Sequence, residues 1–454
     1  MGASRDRSEA PVPGPIRGFD FPPVSGFRMA NGLDLRIVRL ARFPIVTATL
    51  ILDAGEWVVD PARAGLAVLA GDALEGGTAH RSGAELAEAL EAIGAGLGIG
   101  TGWDATSVTV SCLAERLDEA LALMAEVVLE PSFPVEEFSR VRDQRLAAIQ
   151  QRAMNPSTLA GDQAARFIHA EGVPFGRPLA GTESTIAPLT GEDARTMLAA
   201  RYRPRGAALV VVGDVDGGEI ETLAERCFGS WSGTVEDVSS ASVASRHEHR
   251  RVEIVHRPGA VQSEIRMGHV GVPKSTPDYF PLLVYNTILG GSFTSRLNLN
   301  LREKNGFTYG VRSQFQFRRN AGPFGISTAV ETAVTVDAVR EALSEVELLK
   351  NEGPSADEVE AARDYIVGIF PLRLETTRQL ASRVGELIIY GLPDDYHATY
   401  RDRLRAVTQT ETLEAGRTHV RPEEMSVVVV GDADEIRAPL EALDLGPVEV
   451  HEVD

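Results

Sequence analysis

Two side chains in the second half of the sequence carry hydrogen-bond donors that could hold a carbonyl group. Arg302 and Tyr309 lie seven positions apart, directly after the glycine-containing stretch 289–297. A guanidinium and a phenol can bind a carbonyl oxygen and stabilise negative charge that develops on it. On residue type alone a plainer interpretation stays open, in which Tyr309 is a core side chain and Arg302 is a solvated charge on a helix.

Side chains that could bind a metal ion are few and scattered. His247, Glu248 and His249 are adjacent, but their segment is rich in Ser, Gly and acidic residues, and we interpret them as part of a solvated charged loop. Asp72 and Glu75 are one helical turn apart and could hold a hard cation weakly. Carboxylates at this spacing are common on helix surfaces, so the sequence predicts no metal site.

The stretch that carries the Arg and Tyr pair is predicted to be a short helix followed by a strand. Thr294 or Ser295 can cap the helix, and Asn305 with Gly306 can end it. The apolar residues one turn apart that define its buried face are Leu297 and Leu301. Alternating apolar side chains then predict one strand face, formed by Phe307, Tyr309, Val311, Phe315 and Phe317.

An internal repeat organises the chain. Residues 203–214 contain Arg-Pro followed by an apolar run that ends in Gly-Asp, and residues 421–432 contain the same pattern 218 positions later. A second pair of similar segments, 134–143 and 355–364, is separated by 221 positions and follows an amphipathic helix pattern in each half. Two repeats in the same order indicate that the chain consists of two homologous domains.

These repeats predict the domain limits. We expect a mobile tail over residues 1–22, a first domain over 23–229, a linker over 230–249 and a second domain over 250–454. Each domain has about 220 residues, since the two repeat distances are close to that length.

The fold class follows from the order of the predicted elements. Two β-prone runs within 35–52 precede a helix that starts with the Ser-x-x-Glu pattern at Ser82, and a strand pattern over 106–112 precedes the next helix. This order is not a regular strand-helix alternation. We therefore predict an α+β fold in which a mostly antiparallel sheet packs against helices in each domain.

The composition of the chain excludes some classes of partner and location. The 454 residues include 45 Lys and Arg against 65 Asp and Glu, a formal charge of −20, which repels nucleic acids and anionic membranes. Neither is therefore an expected partner. There is no long apolar run and no apolar signal-peptide core, so we expect a cytoplasmic protein. Two cysteines, Cys112 and Cys227, are too few for a disulfide framework, and we expect both to be buried and reduced.

The stretch 289–309 resembles the second-half signature of the insulinase/pitrilysin (inverzincin) peptidase family, which includes the mitochondrial processing peptidases. The resemblance extends over residues 27–440. In that family an Arg and a Tyr seven positions apart hydrogen-bond the substrate near the scissile carbonyl, and Arg302 and Tyr309 match this spacing. The resemblance implies two-domain subunits that each form half of a clamshell chamber.

The zinc motif of that family is missing from the first half. The family motif is His-x-x-Glu-His, with two zinc ligands and a general base, and a further Glu ligand lies downstream. Val68, Gly71 and Asp72 stand at the three motif positions, and Ala148 stands at the downstream one. Peptide hydrolysis at zinc needs about three protein ligands and a water molecule. The resemblance therefore implies no catalytic residue, no metal and no cofactor in this chain.

A family member without the zinc motif but with the Arg and Tyr pair resembles the non-catalytic subunit of a heterodimeric peptidase. The resemblance then implies that a homologous partner subunit holds the zinc and that this chain supplies Arg302 and Tyr309 in trans. The substrate would be a peptide or an unfolded protein. A homodimer in the absence of the partner is left open.

Two other functions also stay open. The chain could be a structural assembly subunit, similar to the core proteins of respiratory complexes that share this fold without proteolysis, although the retained Arg and Tyr pair is evidence against this. It could also be a self-sufficient hydrolase with unusual metal ligands, among them Asp72.

Overall fold

Two six-stranded sheets form the framework. The computed structural model describes residues 14, 16–236 and 242–452. The first sheet consists of β1 (Ser25–Arg28), β2 (Asp34–Arg39), β3 (Ile45–Leu52), β4 (Gly96–Thr101), β5 (Thr106–Leu113) and β6 (Ala207–Gly213). The second sheet consists of β7 (Arg251–His256), β8 (Gln262–Val270), β9 (Val311–Phe315), β10 (Pro323–Glu331), β11 (Ser426–Gly431) and β12 (Val448–Glu452).

Helices surround both sheets. Those of the first half are α1 (Leu66–Asp72), α2 (Gly83–Ala92), α3 (Leu117–Leu129), α4 (Val135–Met154), α5 (Pro156–Ile168), α6 (Glu183–Ile186), α7 (Gly191–Arg201) and α8 (Gly217–Phe228). Those of the second half are α9 (Tyr279–Asn286), α10 (Thr335–Glu352), α11 (Ala356–Ile369), α12 (Thr377–Tyr390), α13 (Tyr396–Ala406), α14 (Gln409–His419) and α15 (Ala433–Glu441). Among the described residues, no helix is both long enough and apolar enough to cross a bilayer.

The two sheets have the same internal order. The orders are β1-β2-β6-β3-β5-β4 and β12-β7-β11-β8-β10-β9. They differ at one edge, where β1 pairs antiparallel with β2 and β12 pairs parallel with β7. In each sheet the strand that carries the repeated valine run, β6 or β11, pairs in parallel with one neighbour and antiparallel with the other. The predicted α+β fold of two homologous, mostly antiparallel domains is confirmed.

A helix from the opposite half covers one face of each sheet. In the first half, α5 packs on β8 and β11 of the second sheet, and in the second half α12 packs on β3 and β6 of the first sheet. The other face of each sheet packs against the helices of its own domain. Strands β6 and β11 are consequently buried along their whole length, which explains why valine occupies consecutive positions rather than alternate ones.

Of the segment predicted as a tail, 1–22, the structure describes residues 14 and 16–22, and the last of these pack against the rest of the chain. Phe21 is buried in the apolar cluster beneath α12. The guanidinium of Arg401 donates hydrogen bonds to the carbonyl oxygens of Arg17 and Phe19, at 2.8 and 3.4 Å. Aromatic side chains give this part of the segment apolar surface to bury, and the limit of the tail at residue 22 stays a prediction. Residues 1–13 and 15 lie outside the described part of the chain.

The segment predicted as a linker, 230–249, is fastened at both ends. Trp231 is buried in the core of the first half. At the other end, Ser245 forms a β-bridge with His169. Residues 237–241 lie outside the described part of the chain, and the domain limits stay predictions.

The two cysteines are free thiols in different surroundings. Cys112 is buried, as the sequence analysis expects. Cys227 is only partly buried, so the expectation of burial is wrong for this residue. Its position near the end of α8 leaves one side of the thiol outside the core.

Helix α14 touches α9 so closely that one position requires glycine. A Cβ atom on Gly416 would lie 2.0 Å from a ring carbon of Tyr285, which is fully buried. We expect Gly416→Ala to destabilise the protein by about 1–3 kcal/mol, because the ring has no free space to move into. Urea denaturation followed by circular dichroism measures this.

The matched control is Gly368→Ala, at an exposed position of α11 where a Cβ meets nothing within 4 Å. Alanine there is expected to stabilise by up to about 1 kcal/mol through helix propensity. Equal effects of the two substitutions would contradict the close packing of α14 on α9.

Candidate functional site

The Arg and Tyr pair lies in a segment that connects α9 to the edge strand β9. After α9 the chain forms a π-helical turn, Thr287–Gly291, and then a second one, Asn298–Lys304, which carries Arg302. The predicted apolar face is confirmed, since Leu297, directly before this second turn, and Leu301 within it are fully buried.

Asn298 fixes the start of this turn against the start of β9. Its amide nitrogen donates to the carbonyl oxygen of Val311 at 2.9 Å, and its amide oxygen accepts from the N–H of Val311 at 3.2 Å. The same amide nitrogen donates to Ser292 and Ser295. A side-chain amide thus takes the place of a neighbouring strand at the first residue of β9. Both ends of the loop that holds Arg302 and Tyr309 are therefore held together.

The middle of the turn is fastened to α10. The amide nitrogen of Asn300 donates to the carboxylates of Glu341 and Glu345, at 3.0 and 2.7 Å. Asn305 donates back to the side-chain oxygen of Asn300 at 2.6 Å. Hydrogen bonds from the polar residues therefore hold the turn in place, in addition to the burial of Leu297 and Leu301.

Gly306 ends the turn. Its φ of +66° lies in the left-handed region, which glycine adopts without strain. Its N–H donates to the carbonyl oxygen of Arg302, and the next N–H, of Phe307, donates to that of Leu301. The end predicted at Asn305 and Gly306 is confirmed.

Tyr309 is 98% exposed, so the predicted strand face is wrong at this residue. The strand begins only at Val311, because the hydroxyl of Thr308 bonds the carbonyl oxygen of Gly310 and accepts from its N–H. These bonds bend the chain just before β9 and direct the phenol into solvent. The interpretation of Tyr309 as a core residue is therefore wrong.

Arg302 stacks on an aromatic ring and lies within ion-pair distance of one carboxylate. Its guanidinium carbon lies 4.3 Å from the centre of the Phe293 ring, and its Nε is 3.5 Å from the carboxylate of Glu303. The side chain is 33% exposed. Stacking on an aromatic face orients a guanidinium and leaves its edge free to bind an acceptor.

We call the four side chains that this segment presents to solvent the donor patch, and they are Phe293, Leu299, Arg302 and Tyr309. Its three apolar members belong to the small group of large, solvent-exposed hydrophobic side chains of this chain. No hydrogen bond joins Arg302 and Tyr309 among the described residues, so both donors are available to a ligand. Apolar surface beside free donors suits a peptide, which offers side chains and carbonyl groups together.

The residues that stand at the zinc-motif positions lie in a cleft of the first half. Asp72, at the end of α1, and Ala148, on α4, line one cleft of about 1030 Å³. Arg145, one turn before Ala148, forms an ion pair with Asp72. The structure therefore brings together the two ends of the degenerate motif, and it places a guanidinium between them.

Val68 and Gly71 stand at the other two positions of the zinc motif. Val68 is partly buried on α1 and offers no donor atom to a metal. A Cβ on Gly71 would lie 2.7 Å from the hydroxyl of Thr101 on β4. A larger side chain at the position of the family's general base would therefore require the Thr101 side chain to move.

The cleft does not fit zinc. Of the residues at the four motif positions, only Asp72 has a side chain that can bind a metal ion. Its carboxylate is paired with the guanidinium of Arg145. Glu75 lies in the same cleft, where burial and the charge of Asp72 raise its pKa. Three ligands are needed, and a raised pKa opposes the ionised form that binds metal. Neither zinc binding nor the weak cation site is supported here.

Glu56 is a buried acidic residue that the sequence analysis did not single out. Its carboxylate caps α1 by accepting the N–H groups of Gly65 and Ala67, at 2.6 and 3.1 Å. Arg177 lies 3.3 Å from it. Burial raises the pKa of Glu56 to about 7. Sequence patterns for helix caps describe only residues next to the first turn of a helix. Glu56 lies farther back in the chain, so such a pattern could not identify it as the cap of α1.

The three adjacent residues His247, Glu248 and His249 differ in their exposure to solvent. Glu248 and His249 are exposed, as expected for a solvated loop. His247 is not: its side chain is 19% exposed and faces the buried carboxylate of Glu253. The interpretation of the whole triplet as solvated is therefore wrong for His247.

Comparison with known proteins assigns the chain to a family. Residues 40–182 match the family model described as insulinase, peptidase family M16. Residues 188–366 match the model described as peptidase M16 inactive domain. The chain belongs to the insulinase family.

Solved structures agree with this assignment. A peptidase M16 inactive domain from Pseudomonas fluorescens superposes with a TM-score of 0.84 at 25% identity, over 90% of this chain and 98% of that one. A protease from Helicobacter pylori superposes with a TM-score of 0.83 at 17% identity, over 90% and 99% of the two chains, which shows the shared fold.

Bacterial proteins named zinc proteases are similar in sequence. An uncharacterised zinc protease of Bacillus subtilis is 25% identical over 313 residues, covering 68% of this chain and 74% of that protein. One of Mycobacterium tuberculosis is 26% identical over 362 residues, covering 78% and 81%. This insulinase-family chain thus resembles relatives named zinc proteases, although its own motif positions lack the ligands.

The raised pKa of Glu56 makes stability depend on pH. Between its ordinary value of 4.5 and about 7, the unfolded chain loses this proton while the folded chain keeps it. The wild type should therefore lose up to about 3 kcal/mol of stability relative to Glu56→Gln as pH rises through this window. Urea denaturation at a series of pH values measures the difference.

Glu91→Gln, at an exposed position of α2, is the control and should give a nearly constant difference. A constant difference between the wild type and Glu56→Gln would show that the carboxyl group is already ionised at pH 5.

Proposed function

We propose that this chain is the non-catalytic, substrate-binding subunit of a heterodimeric insulinase-type zinc peptidase. It supplies Arg302 and Tyr309 in trans to a homologous partner subunit that carries the zinc motif. The observation that carries the proposal is the contrast between two regions of one chain. The donor patch is intact and exposed, and the motif cleft has no ligand set.

The chemistry of the donor patch supports a role in binding and in transition-state stabilisation. The guanidinium of Arg302 and the hydroxyl of Tyr309 donate hydrogen bonds to carbonyl oxygens of the bound peptide near the bond to be cleaved. Such donors act most strongly on the negative charge that develops on the scissile carbonyl oxygen. Phe293 and Leu299 offer apolar surface to neighbouring side chains of the peptide.

The substrate class is a peptide or an unfolded protein. Strand β4 forms one edge of the first sheet and pairs only with β5 among the described residues. Its backbone groups are therefore open to an extended chain, and three of its six residues are glycines that leave the edge unobstructed.

The proposal places the complex in the cytoplasm, which agrees with two free cysteines. The formal charge of −20 supports a protein partner rather than a nucleic acid or a membrane.

Substitutions in the donor patch test the proposal. The chain is mixed with the purified zinc-bearing homologue of the same organism, and cleavage of a fluorogenic peptide library is followed. Arg302→Ala should lower kcat/KM of the mixture by roughly 100–1000-fold, since an oxyanion donor is lost. Tyr309→Phe should lower it by about 10–100-fold, because one hydrogen bond to a charged group is lost.

Matched controls are Arg340→Ala, an exposed arginine of α10, and Tyr365→Phe, an exposed tyrosine of α11. Both should leave kcat/KM nearly unchanged. If the mixture cleaves peptides equally well with both donor-patch residues replaced, the proposal fails. A stable complex without any peptide binding would instead favour the structural assembly role.

The motif cleft provides a separate test. Asp72→Ala removes the partner of Arg145 and the last motif carboxylate, and it should leave the activity of the mixture within about twofold, because an exposed ion pair contributes little. Loss of activity in Asp72→Ala, together with turnover by the isolated chain, would support a self-sufficient hydrolase.

A further inference from the structure

A pocket between the two halves of the chain carries an excess of positively charged side chains. Its volume is about 350 Å³, and residues of both halves line it. We call it the arginine pocket, after the four guanidinium groups in its lining, which belong to Arg152, Arg177, Arg266 and Arg318. Among the described residues, Asp162 is the one carboxylate in that lining. This ratio is the reverse of the overall composition, since the chain has a formal charge of −20.

Elements of both halves place these arginines around one space. Arg152 lies in the last turn of α4, and Arg177 follows a short helical turn after α5. Arg266 lies on β8, and Arg318 lies in the connection between β9 and β10. The volume is at the small end of the range for ligand pockets, which suits a small molecule or one side chain of a peptide.

Three of the four guanidinium groups already have a carboxylate partner. The pairs are Arg152 with Asp162 at 3.0 Å, Arg177 with Glu56 at 3.3 Å and Arg266 with Glu264 at 2.9 Å. Burial raises the pKa of Glu56 to about 7, so this carboxyl group is ionised only in part at neutral pH. The three pairs therefore do not add negative charge to the pocket beyond what their own arginines need.

Arg318 has no carboxylate partner within the described part of the chain. Asp104 acts on it through charge alone and accepts the backbone N–H of Arg319 instead, at 3.2 Å. Nη2 of Arg318 donates to Oε1 of Gln316 at 2.7 Å, whereas Nη1 is inaccessible to solvent and forms no hydrogen bond. Burial lowers the pKa of Arg318 to about 10. A buried charge without a counter-charge is costly, and a bound anion would remove that cost.

Two aromatic rings hold the Arg318 guanidinium in place. Its central carbon lies 4.2 Å from the centre of the Phe175 ring and 5.2 Å from that of Trp103. Stacking on aromatic faces orients a guanidinium but supplies no ionic partner. The amide groups of Gln314 and Gln316 line the same pocket and can donate further hydrogen bonds. The pocket thus combines an oriented cation, neutral donors and apolar walls.

We propose that the arginine pocket binds a carboxylate group, with Arg318 as its principal partner. A carboxylate matches the planar fork of a guanidinium in geometry and in charge. The aromatic walls suit the short aliphatic chain that carries the carboxylate. Two sources offer this chemistry, an acidic side chain of a peptide and a small organic acid. The pocket shares no residue with the donor patch or with the motif cleft, so the proposal does not depend on the proposed function.

Isothermal titration calorimetry with the full-length chain tests the proposal. Two probes distinguish the sources, namely glutarate and a blocked pentapeptide with one central Glu between alanines. At least one of them should bind at one site per chain. The same peptide with Gln in place of Glu should bind at least about 10-fold more weakly, because it has no charge. Arg318→Met should weaken binding of the carboxylate by about 10–100-fold, since a charge-assisted hydrogen bond is lost.

The matched control is Arg312→Met, at an exposed arginine of β9 that lies outside the pocket. It should bind the carboxylate like the wild type. Thermal unfolding then separates ligand binding from a structural role of Arg318. Without ligand, Arg318→Met should melt no lower than the wild type, because it removes an uncompensated buried charge and keeps an apolar stem. The ligand should raise the melting temperature of the wild type and not that of this variant.

Three results would overturn the proposal. Neither glutarate nor the Glu peptide binds, or Arg318→Met binds them as the wild type does, or Arg318→Met melts well below the wild type without ligand. The last result would show that the guanidinium serves the fold rather than a ligand. Binding of inorganic phosphate together with failure of both carboxylates would also contradict the assigned ligand. None of these measurements uses peptidase activity, so the proposed function is tested separately.

Discussion

Neither sheet of this protein can bury both of its faces without a helix from the other half. Helix α5 covers the second sheet and α12 covers the first, and the consecutive valines of β6 and β11 are buried between these helices and the cores of their own domains. Burial of apolar surface is the main favourable term in folding. The two halves therefore form one folding unit, and the donor patch is held in a fixed position relative to the motif cleft.

Much of this architecture could be predicted from local patterns. The repeated valine runs identify equivalent strands, and the Ser82 capping box, whose hydrogen bonds the structure contains, locates the start of α2. The exchange of helices could not be predicted in this way. An amphipathic pattern, such as that of α12, shows that a helix has an apolar face but not which sheet the face meets.

The candidate site, too, could be predicted from the sequence only in part. Arg302 and the helix end at Gly306 follow from spacing and turn chemistry, which act over a few residues. The exposure of Tyr309 depends on how Thr308 bonds to its neighbours and to β10, and a strand-like alternation of apolar residues gave the wrong expectation. The contacts of Glu56 and His247 join residues from separate elements, and such contacts leave no periodic trace in a sequence.

The close approach of α1 to β4 bears on how readily substitutions could turn the motif cleft into a metal site. Recovering a metal-bound hydrolytic centre would require four replacements at Val68, Gly71, Asp72 and Ala148, and space at Thr101 would have to appear first. Arg145 would also have to release its carboxylate. Since no intermediate on this route gains catalysis, selection cannot favour the steps one by one. A chain with this cleft therefore stays without a zinc ligand set unless several substitutions occur together.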